Sequence, residues 1–334
     1  MQTTLSRVKV RQFVLMIGAV FALGVAWNAE SLAQSYPARS VRIVIGITAG
    51  GLSDTFARAM AFELSKRWGQ AVVVENRPGG AGVIAADAVA KSPPDGHALF
   101  QTDSIQWVTN LLLNRNLPYD PIKDFAPVAG LTRTHSLLVS NVKLPLKSVN
   151  ELIAAAREKP GRLNYGSFGV GSAAHLNAES FSSVYGLRMT HIPYKGGVDI
   201  MKALLTGEVD MAFTGAIAAI PFVRQGQIRA LAYSGGQRSP AMPEVPTFAE
   251  LALKEMQVGS WFGWLAPGLT PPAVLDRIAA DARQVVAIPE FAEKFVMAPG
   301  MEVMDMPRLA FAELLRTDRE KYGSLVKSIN LKLD

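Results

Sequence analysis

Residues 41–54 have the sequence VRIVIGITAGGLSD. The apolar run Val41–Ile45 predicts a buried strand, and the glycines after it predict a tight connection into a helix. Glycine lets a backbone approach a ligand closely, and a helix start offers unpaired N–H groups and a partial positive charge. We call residues 46–54 the first glycine loop and predict that it holds an anion.

A second glycine-rich connection occupies residues 165–175, which have the sequence YGSFGVGSAAH. We call these residues the second glycine loop. Two such loops predict that one anionic ligand is held from two sides. The stretch from Gly169 to Ala174 also matches the dinucleotide pattern G-x-G-x-x-A, but the acidic residue that this pattern needs at the end of the next strand is absent, so no dinucleotide cofactor is predicted.

The N-terminus has the features of a secretory signal peptide. Three basic residues precede the uncharged apolar run Phe13–Ala26, and small residues follow at the usual cleavage spacing. We predict that residues 1–33 are removed by cleavage after Ala33, with Ala26 and Ala29 as alternative positions. An uncleaved N-terminal anchor is the alternative interpretation. In a Gram-negative host the mature protein is then periplasmic.

Composition argues against several classes of function. The chain of 334 residues contains no cysteine, which excludes disulfides and thiolate chemistry. Its formal charge is +6, and removal of the predicted leader, with three basic residues and one acid, leaves +4. This small excess favours an anionic ligand and is too evenly spread for nucleic acid. The histidines lack a metal-ligand spacing, so no metal and no cofactor are predicted.

Apolar strands alternate with helical patterns along the chain, which predicts an α/β fold with largely parallel sheets. The predicted strands are residues 41–45, 71–75, 98–102, 136–140, 163–165, 189–194, 209–213, 228–234 and 260–267. The predicted helices are residues 55–68, 83–91, 149–158, 175–185, 200–205, 272–286, 289–297 and 307–329.

Short motifs occur in order along the whole predicted mature chain. They are Tyr36-Pro37; GGLSD at 50–54 with Ala57-Arg58; VVVENRPG at 72–79; Ala90-Lys91; Pro94-Asp95-Gly96; Tyr165-Gly166-Ser167, Gly171-Ser172 and His175-Leu176; HIPYKG at 191–196; GEVD at 207–210; RALA at 229–232; Val245-Pro246-Thr247; and Trp261-Phe262-Gly263 with Ala266-Pro267. Each motif alone is weak. As an ordered set they are specific, and through them the sequence resembles the solute-binding receptors of the tripartite tricarboxylate transporter family, often called Bug-type receptors.

The resemblance implies a two-lobed periplasmic-binding-protein fold of type II, the Venus flytrap, in which each lobe is a mainly parallel sheet flanked by helices. We expect residues 35–135 with 255–334 in one lobe and residues 136–254 in the other. The resemblance also implies that both glycine loops hold a small organic carboxylate, through backbone N–H groups, hydroxyls and bridging waters. It implies delivery to integral-membrane permease subunits, and we expect a monomer without catalytic activity.

The sequence departs from the family pattern at the expected pocket. Residues 47–49 are Ile-Thr-Ala where the family usually has prolines and an aromatic residue, and residues 213–216 are Phe-Thr-Gly-Ala where Asn or Asp is frequent. His97 stands where tyrosine is more usual. The ligand therefore stays open among dicarboxylates, tricarboxylates, amino acids and aromatic acids.

We predict ligand contacts from both loops and from nearby strand ends. The candidates are Thr48, Ala49, Gly50, Gly51, Ser53, Asp54, Gln106, Ser167, Gly169, Gly171, Ser172, His175, Tyr194 and Thr214. Ser53 or Asp54 is expected to cap the helix after the first loop, which leaves the earlier amides for the ligand. Gln106 is expected in the loop after the strand that ends at Thr102.

Two alternative functions compete with a transport receptor. Ser172 and His175 allow an exported hydrolase of carboxylate esters, although no G-x-S-x-G motif is present and no acid is marked out as a third member. The other alternative is an orphan receptor that serves a sensor or an extracellular enzyme system.

Overall fold

The computed structural model of the protein describes residues 36–113, 116–194, 197–239, 241–253 and 259–328. The predicted signal peptide, residues 1–33, and the pair Lys195-Gly196 lie outside the described residues. From Ser40 onward the chain forms one compact unit, which contains two β-sheets flanked by helices.

Strands and helices alternate through most of this unit. The strands are β1 (Val41–Ile45), β2 (Val72–Asn76), β3 (Ala98–Asp103), β4 (Phe125–Thr134), β5 (Ser136–Asn141), β6 (Asn164–Ser167), β7 (Thr190–Pro193), β8 (Met211–Gly215), β9 (Ile228–Tyr233), β10 (Ser260–Pro267) and β11 (Met301–Met306). The helices are α1 (Leu52–Trp68), α2 (Val83–Ala90), α3 (Ser104–Leu113), α4 (Val149–Glu158), α5 (Ala173–Tyr185), α6 (Gly197–Thr206), α7 (Ala216–Arg224), α8 (Pro272–Val286), α9 (Pro289–Ala292) and α10 (Arg308–Ser328). A 3₁₀ turn at Gly80–Gly82 precedes α2, and a π-helical turn at Glu293–Met297 follows α9.

The first sheet has the strand order β11-β4-β10-β3-β1-β2 and the second has the order β7-β6-β8-β5-β9. In the first sheet β1 pairs in parallel with β2 and β3, whereas β10 is antiparallel to β3 and β4, and β11 is antiparallel to β4. In the second sheet β6 is parallel to β7 and β8, whereas β5 is antiparallel to β8 and β9.

The predicted α/β fold is confirmed, but both sheets are mixed rather than mainly parallel. The chain leaves the first sheet after β4 and returns through β10, which lies between β3 and β4 and runs against both. It enters the second sheet through β5, beside the end of β8, so β5 must run in the opposite direction. Each crossing between the sheets therefore adds an antiparallel strand to the sheet that the chain enters.

Four elements were not predicted, namely α3, β4, α7 and β11. Two of them contain a proline, which lacks a backbone N–H and therefore argues against a strand or helix at that place in the sequence. Pro127 lies inside β4, where the pairing with β10 shifts register next to its partner Leu265, and Pro221 lies inside α7. The other bounds shift by a few residues, and both helices that follow the glycine loops begin earlier than predicted, at Leu52 and Ala173.

The strands divide between the sheets at two places in the sequence. Strands β1–β4 and β10–β11 form the first sheet, whereas β5–β9 form the second. The exact lobe boundaries, at residues 135 and 255, stay a prediction.

Helix α10 is fixed on the first sheet by a contact that only glycine permits. A Cβ at Gly263 of β10 would lie 2.3 Å from Cζ of Phe311 and 3.0 Å from the carbonyl oxygen of Ala129. The Phe311 ring is fully buried and packs edge-on against Trp261 at 5.0 Å between centroids. Leu176 of α5 joins the same hydrophobic cluster, so a helix of the second sheet packs against the core beside α10.

We predict that Gly263→Ala lowers the free energy of unfolding by about 1–3 kcal/mol, because the added methyl group overpacks this contact. Urea denaturation measures the change. Gly236→Ala is the matched control, since no atom lies within 4 Å of a Cβ at that position, and its stability should stay within about 0.5 kcal/mol of wild type. Equal midpoints for both variants would contradict the prediction.

Candidate functional site

The chain passes from the first sheet to the second between β4 and β5. Both glycine loops lie at the edges of the two sheets that this connection joins. Strands β1 and β4 run in the same direction, so the first loop and Thr134 share one edge of the first sheet. Strand β5 begins at Ser136, which pairs with Gly215 at the end of β8, and β6 runs parallel to β8. The second loop therefore leaves the second sheet at this joined edge, and His135 alone separates β4 from β5.

In the first glycine loop, helix α1 begins at Leu52 with Gly51 as the N-cap and no capping side chain. The prediction that Ser53 or Asp54 caps this helix is wrong. Asp54 instead turns back and accepts the N–H of Gly50 at 2.9 Å. One of the amides predicted for the ligand is thus used by the protein itself.

Asp54 is a buried carboxylate whose charge is compensated on all sides. Its Oδ2 accepts from Nε of Arg58 at 3.0 Å, and its Oδ1 accepts from the Asn76 amide at 2.9 Å. Burial by itself raises the pKa of Asp54, but the bonds from Arg58, Gly50 and Asn76 outweigh it and lower the pKa to about 2. Asp54 is therefore ionised and paired, so it orders the first loop without repelling a bound anion.

Ser53 is held by a buried chain of hydrogen bonds that reaches β10. The amide nitrogen of Gln101 donates to both Oγ and the carbonyl oxygen of Ser53, each at 2.8 Å. The indole N–H of Trp264 donates to Oε1 of Gln101 at 3.0 Å. Sequence reasoning missed Gln101, because it lies inside a strand pattern and only the alignment of β3 beside β10 reveals its partners.

Gln106 lies in α3, not in a loop as predicted, and its side chain rests on two glycines. A Cβ at Gly46 would lie 2.6 Å from Cα of Gly82, and a Cβ at Gly82 would lie 3.0 Å from Cδ of Gln106. This close approach brings the start of α2 beside the first loop. In that loop Thr48, Ala49, Gly50 and Gly51 are all exposed at the surface.

The second glycine loop is closed on itself by hydrogen bonds to its glycine amides. The buried Oγ of Ser167 accepts the N–H of Gly169 at 3.1 Å and lies 2.6 Å from Nε2 of His191. The N–H of Gly171 donates to Nδ1 of His175 at 3.0 Å. Both glycines have positive φ, +105° and +77°, so the loop needs their freedom.

Ser172 is the N-cap of α5, so the helix starts two residues before the predicted His175. Its Oγ accepts the N–H of His175 at 3.3 Å, and its own N–H donates to the carbonyl oxygen of Gly169 at 3.2 Å. Its hydroxyl proton is left to donate to a further group. Ser172 therefore combines a capping role with a place at the mouth of the loop.

Three rings stack behind the second loop. The rings of His175 and His191 are nearly parallel at 4.0 Å between centroids, and the Tyr165 ring stacks on that of His191 at 5.0 Å. The Tyr165 hydroxyl donates to Glu179, whose carboxylate lies 4.0 Å from Nε2 of His175. Burial lowers the pKa of His175. Burial and the neighbouring His175 lower the pKa of His191 to about 4.

Tyr194 is engaged by another partner, and Thr214 is buried. The Tyr194 hydroxyl donates to Glu208 at 2.8 Å, and its ring lies against Gly166. Glu208 precedes β8, whereas the second loop follows the parallel strand β6, so this hydroxyl points away from the loop. Thr214 is 3% exposed within β8.

The donors left over are the first-turn amides of the two helices that follow the loops. Within the described parts of the chain, no hydrogen bond engages the N–H groups of Leu52 and Ser53 in α1 or of Ala173 and Ala174 in α5. The first amides of a helix have no partner inside the helix, and its dipole favours an anion there. The amides of Gly50, Gly169 and Gly171 thus hold the two loops in shape, and the next amides along the chain are left for a ligand.

The geometry does not build a hydrolase. Nδ1 of His175 is taken by the Gly171 amide, and Ser172 contacts His175 through the backbone N–H rather than through the imidazole. The close pair of Ser167 and His191 is fully buried at the serine, which cannot reach a substrate. A nucleophile with an adjacent base is therefore not assembled by these residues.

A cavity of about 400 Å³ lies beside α10. Its charged and aromatic lining comes from Arg133, Phe248, Trp261, Asp318, Lys321 and Tyr322. Ser234 to Gly236 and Leu253, from the connection between β9 and β10, also line it. The Trp261 indole donates to Asp318 at 2.7 Å. None of the candidate residues lines this cavity.

The described residues contain neither a metal-binding cluster nor a helix able to cross a membrane. No group of three or more histidine, aspartate or glutamate side chains is placed to hold a metal ion there. No helix in those segments combines the length and the apolar character that crossing a membrane requires.

The two mixed sheets have the fold of periplasmic binding proteins, which bind solutes and are not enzymes. The family model described as the tripartite tricarboxylate transporter family receptor matches residues 56–331. The chain belongs to this receptor family, as its ordered motifs predicted. A UPF0065 protein of Cupriavidus necator, from the gbd 5′ region, is 37% identical over 325 residues, which cover 96% of this chain and 98% of that protein.

Two solved structures of relatives contain a ligand. A Rhodopseudomonas palustris protein with adipate is 32% identical, has a TM-score of 0.74, and is matched over 89% of this chain and 99% of its own. MatC of Rhodopseudomonas palustris with bound malate is 29% identical, has a TM-score of 0.70, and is matched over 87% of this chain and 100% of its own.

We predict that stability falls as the pH drops from 6.5 toward 4 and that His191 contributes to this loss. In that window the unfolded chain binds a proton at His191 and the folded protein does not, because its pKa is about 4 when folded and 6.5 when unfolded. The contribution is on the order of 2–3 kcal/mol at pH 4 relative to pH 7. Urea denaturation of wild type and His191→Gln at both pH values measures it, and parallel pH profiles would contradict it.

Proposed function

We propose that this protein is an exported receptor that captures a small organic carboxylate between two lobes and delivers it to a membrane permease of the tripartite tricarboxylate transporter type. The observation that carries the proposal is the pair of unengaged helix starts, α1 and α5, at joined edges of the two sheets. One carboxylate placed between them accepts N–H donors from both sides.

Charge and hydrogen bonding favour an anion over a neutral ligand at this place. Each helix start contributes a partial positive charge, and Asp54, the carboxylate next to the first loop, is already paired. A neutral ligand would leave buried donors unpaired after closure, which costs about 1–3 kcal/mol for each. The hydroxyl of Ser172 adds a donor from the second loop.

Relatives suggest which carboxylates to test first. One related structure holds adipate and another holds malate, both of which are dicarboxylates. Thr48 and Ala49 of the first loop are small and exposed. We therefore place dicarboxylates ahead of amino acids and aromatic acids for this chain.

Export and partner follow from the same proposal. Residues 1–33 act as a cleaved signal peptide, and N-terminal sequencing of the exported protein tests cleavage after Ala33. The lobes are residues 35–135 with 255–334 and residues 136–254. A receptor acting as a monomer closes around the ligand and so favours the shape that the permease subunits recognise.

We predict that malate, adipate or another small carboxylate raises the melting temperature. A ligand at a hundred times its dissociation constant adds about 2.7 kcal/mol to stability. A thermal-shift screen over dicarboxylates, tricarboxylates, amino acids and aromatic acids checks this. Esters and amides of the active acid serve as neutral controls and should give no shift. A screen in which no carboxylate stabilises the protein would overturn the proposal.

We predict that Ser172→Asp abolishes binding of the carboxylate found in that screen. Aspartate still caps a helix, so the fold is retained, but its charge repels the ligand. Ser148→Asp is the matched control, because Ser148 caps α4 in the same way. Calorimetry compares the affinities. Binding that survives Ser172→Asp and is lost in Arg133→Glu would move the ligand to the cavity beside α10.

A further inference from the structure

The three stacked rings behind the second glycine loop do more than fill the core. Tyr165 comes from β6, His191 from β7 and His175 from α5. The stack therefore joins two strands of the second sheet to the helix that follows the loop. His175 is 5% exposed. The role of His191 has no local signal in the sequence, because only the parallel register that pairs it with Tyr165 places it under the loop.

Each imidazole holds one part of the loop. Nδ1 of His175 accepts the N–H of Gly171 at 3.0 Å. Nε2 of His191 lies 2.6 Å from Oγ of Ser167, which in turn accepts the N–H of Gly169 at 3.1 Å. The two rings thus set the direction of both glycine amides, and with them the path of the chain into α5.

The contact to Gly171 fixes the proton on the His175 ring. An amide N–H can only donate, so Nδ1 must be unprotonated and the neutral ring carries its proton on Nε2. A second proton at Nδ1 would face the Gly171 amide and break this bond. His191 has no such restriction, since the Ser167 hydroxyl can donate either to its Nε2 or to the carbonyl oxygen of Gly169 at 3.0 Å.

The surroundings of the rings keep His175 neutral. The two imidazoles interact with each other. Among the described residues, the other titratable groups that interact with them are Glu179 on α5 and Tyr165 on β6. The Glu179 carboxylate is already bound by the Tyr165 hydroxyl, and burial disfavours a charged ring. Burial accordingly lowers the pKa of His175.

We propose that His175 and His191 are positioning residues of the carboxylate site, and that His175 must be neutral for the second glycine loop to keep its anion-binding shape. The identity of the ligand rests on the proposed function, whereas the role of the two rings in shaping the loop rests on the hydrogen bonds alone. It reverses the usual expectation, in which a protonated histidine near a carboxylate strengthens binding. Here carboxylate affinity falls when His175 takes up a proton.

Two substitutions separate the acceptor from the ring. His175→Leu keeps the bulk and removes the acceptor, and we expect adipate or malate, whichever the screen selects, to bind about tenfold more weakly or worse. His175→Asn places an oxygen near the position of Nδ1 and should restore most of this loss at pH 7.5. His97→Asn is the control, since His97 precedes β3 at the opposite edge of the first sheet. Equal affinity of His175→Leu and wild type would overturn the proposal.

The pH dependence gives the decisive sign. The affinity of wild type is divided by that of His175→Asn at each pH, so that the effect of ligand protonation cancels. We expect this ratio to fall at least threefold from pH 7.5 to pH 4.5. A ratio that rises would show that a cationic His175 contacts the carboxylate directly. A constant ratio, while the nitrogen chemical shifts show His175 protonated at the lower pH, would overturn the requirement for a neutral ring.

One measurement needs no ligand, so it stays informative if no carboxylate binds. Nitrogen chemical shifts of the histidine side chains at pH 7.5 report the tautomer of each ring. We expect His175 with an unprotonated Nδ1 and a protonated Nε2. A proton on Nδ1 would overturn the inference, whatever the outcome of the ligand screen.

Discussion

The site depends on which backbone N–H groups of the two glycine loops are bound by the protein itself and which are left for a ligand. Backbone N–H groups are strong donors, and in each loop a side chain close by in sequence accepts one of them. Asp54 takes the amide of Gly50, and His175 takes that of Gly171. Because these bonds fix the loops, the first-turn amides of α1 and α5 stay directed outward. Glycines therefore shape the site, and their neighbours in sequence supply its donors.

Electrostatics at this site follow from pairing rather than from net charge. A carboxylate beside an anion site would be unfavourable if it were free, but Arg58 and Asn76 compensate Asp54. Two imidazoles lie behind the other loop, yet burial disfavours their charged forms. The attraction for an anion thus comes from helix starts and fixed dipoles, which do not titrate.

Much of the fold and part of the site could be predicted from the sequence. Periodic apolar strands such as β1 and β10 and the two loops were located correctly, because local pattern and glycine chemistry are read directly from the chain. β4 was missed since Pro127 breaks its pattern. Gln101 and His191 gain their roles only from strand register, which pairs them with residues far away in sequence. Hydrogen-bond partners of this kind carry no local signal.

The single residue between β4 and β5 has a mechanical consequence. His135 is buried, its carbonyl accepts the N–H of Ala216, and Thr134 and Ser136 on either side are locked in different sheets. A tether this short cannot lengthen, so the sheets have no freedom to slide or separate at this point. Relative motion reduces to rotation about an axis through His135. Points of the two sheets that lie far from His135 would then move most when one sheet rotates relative to the other.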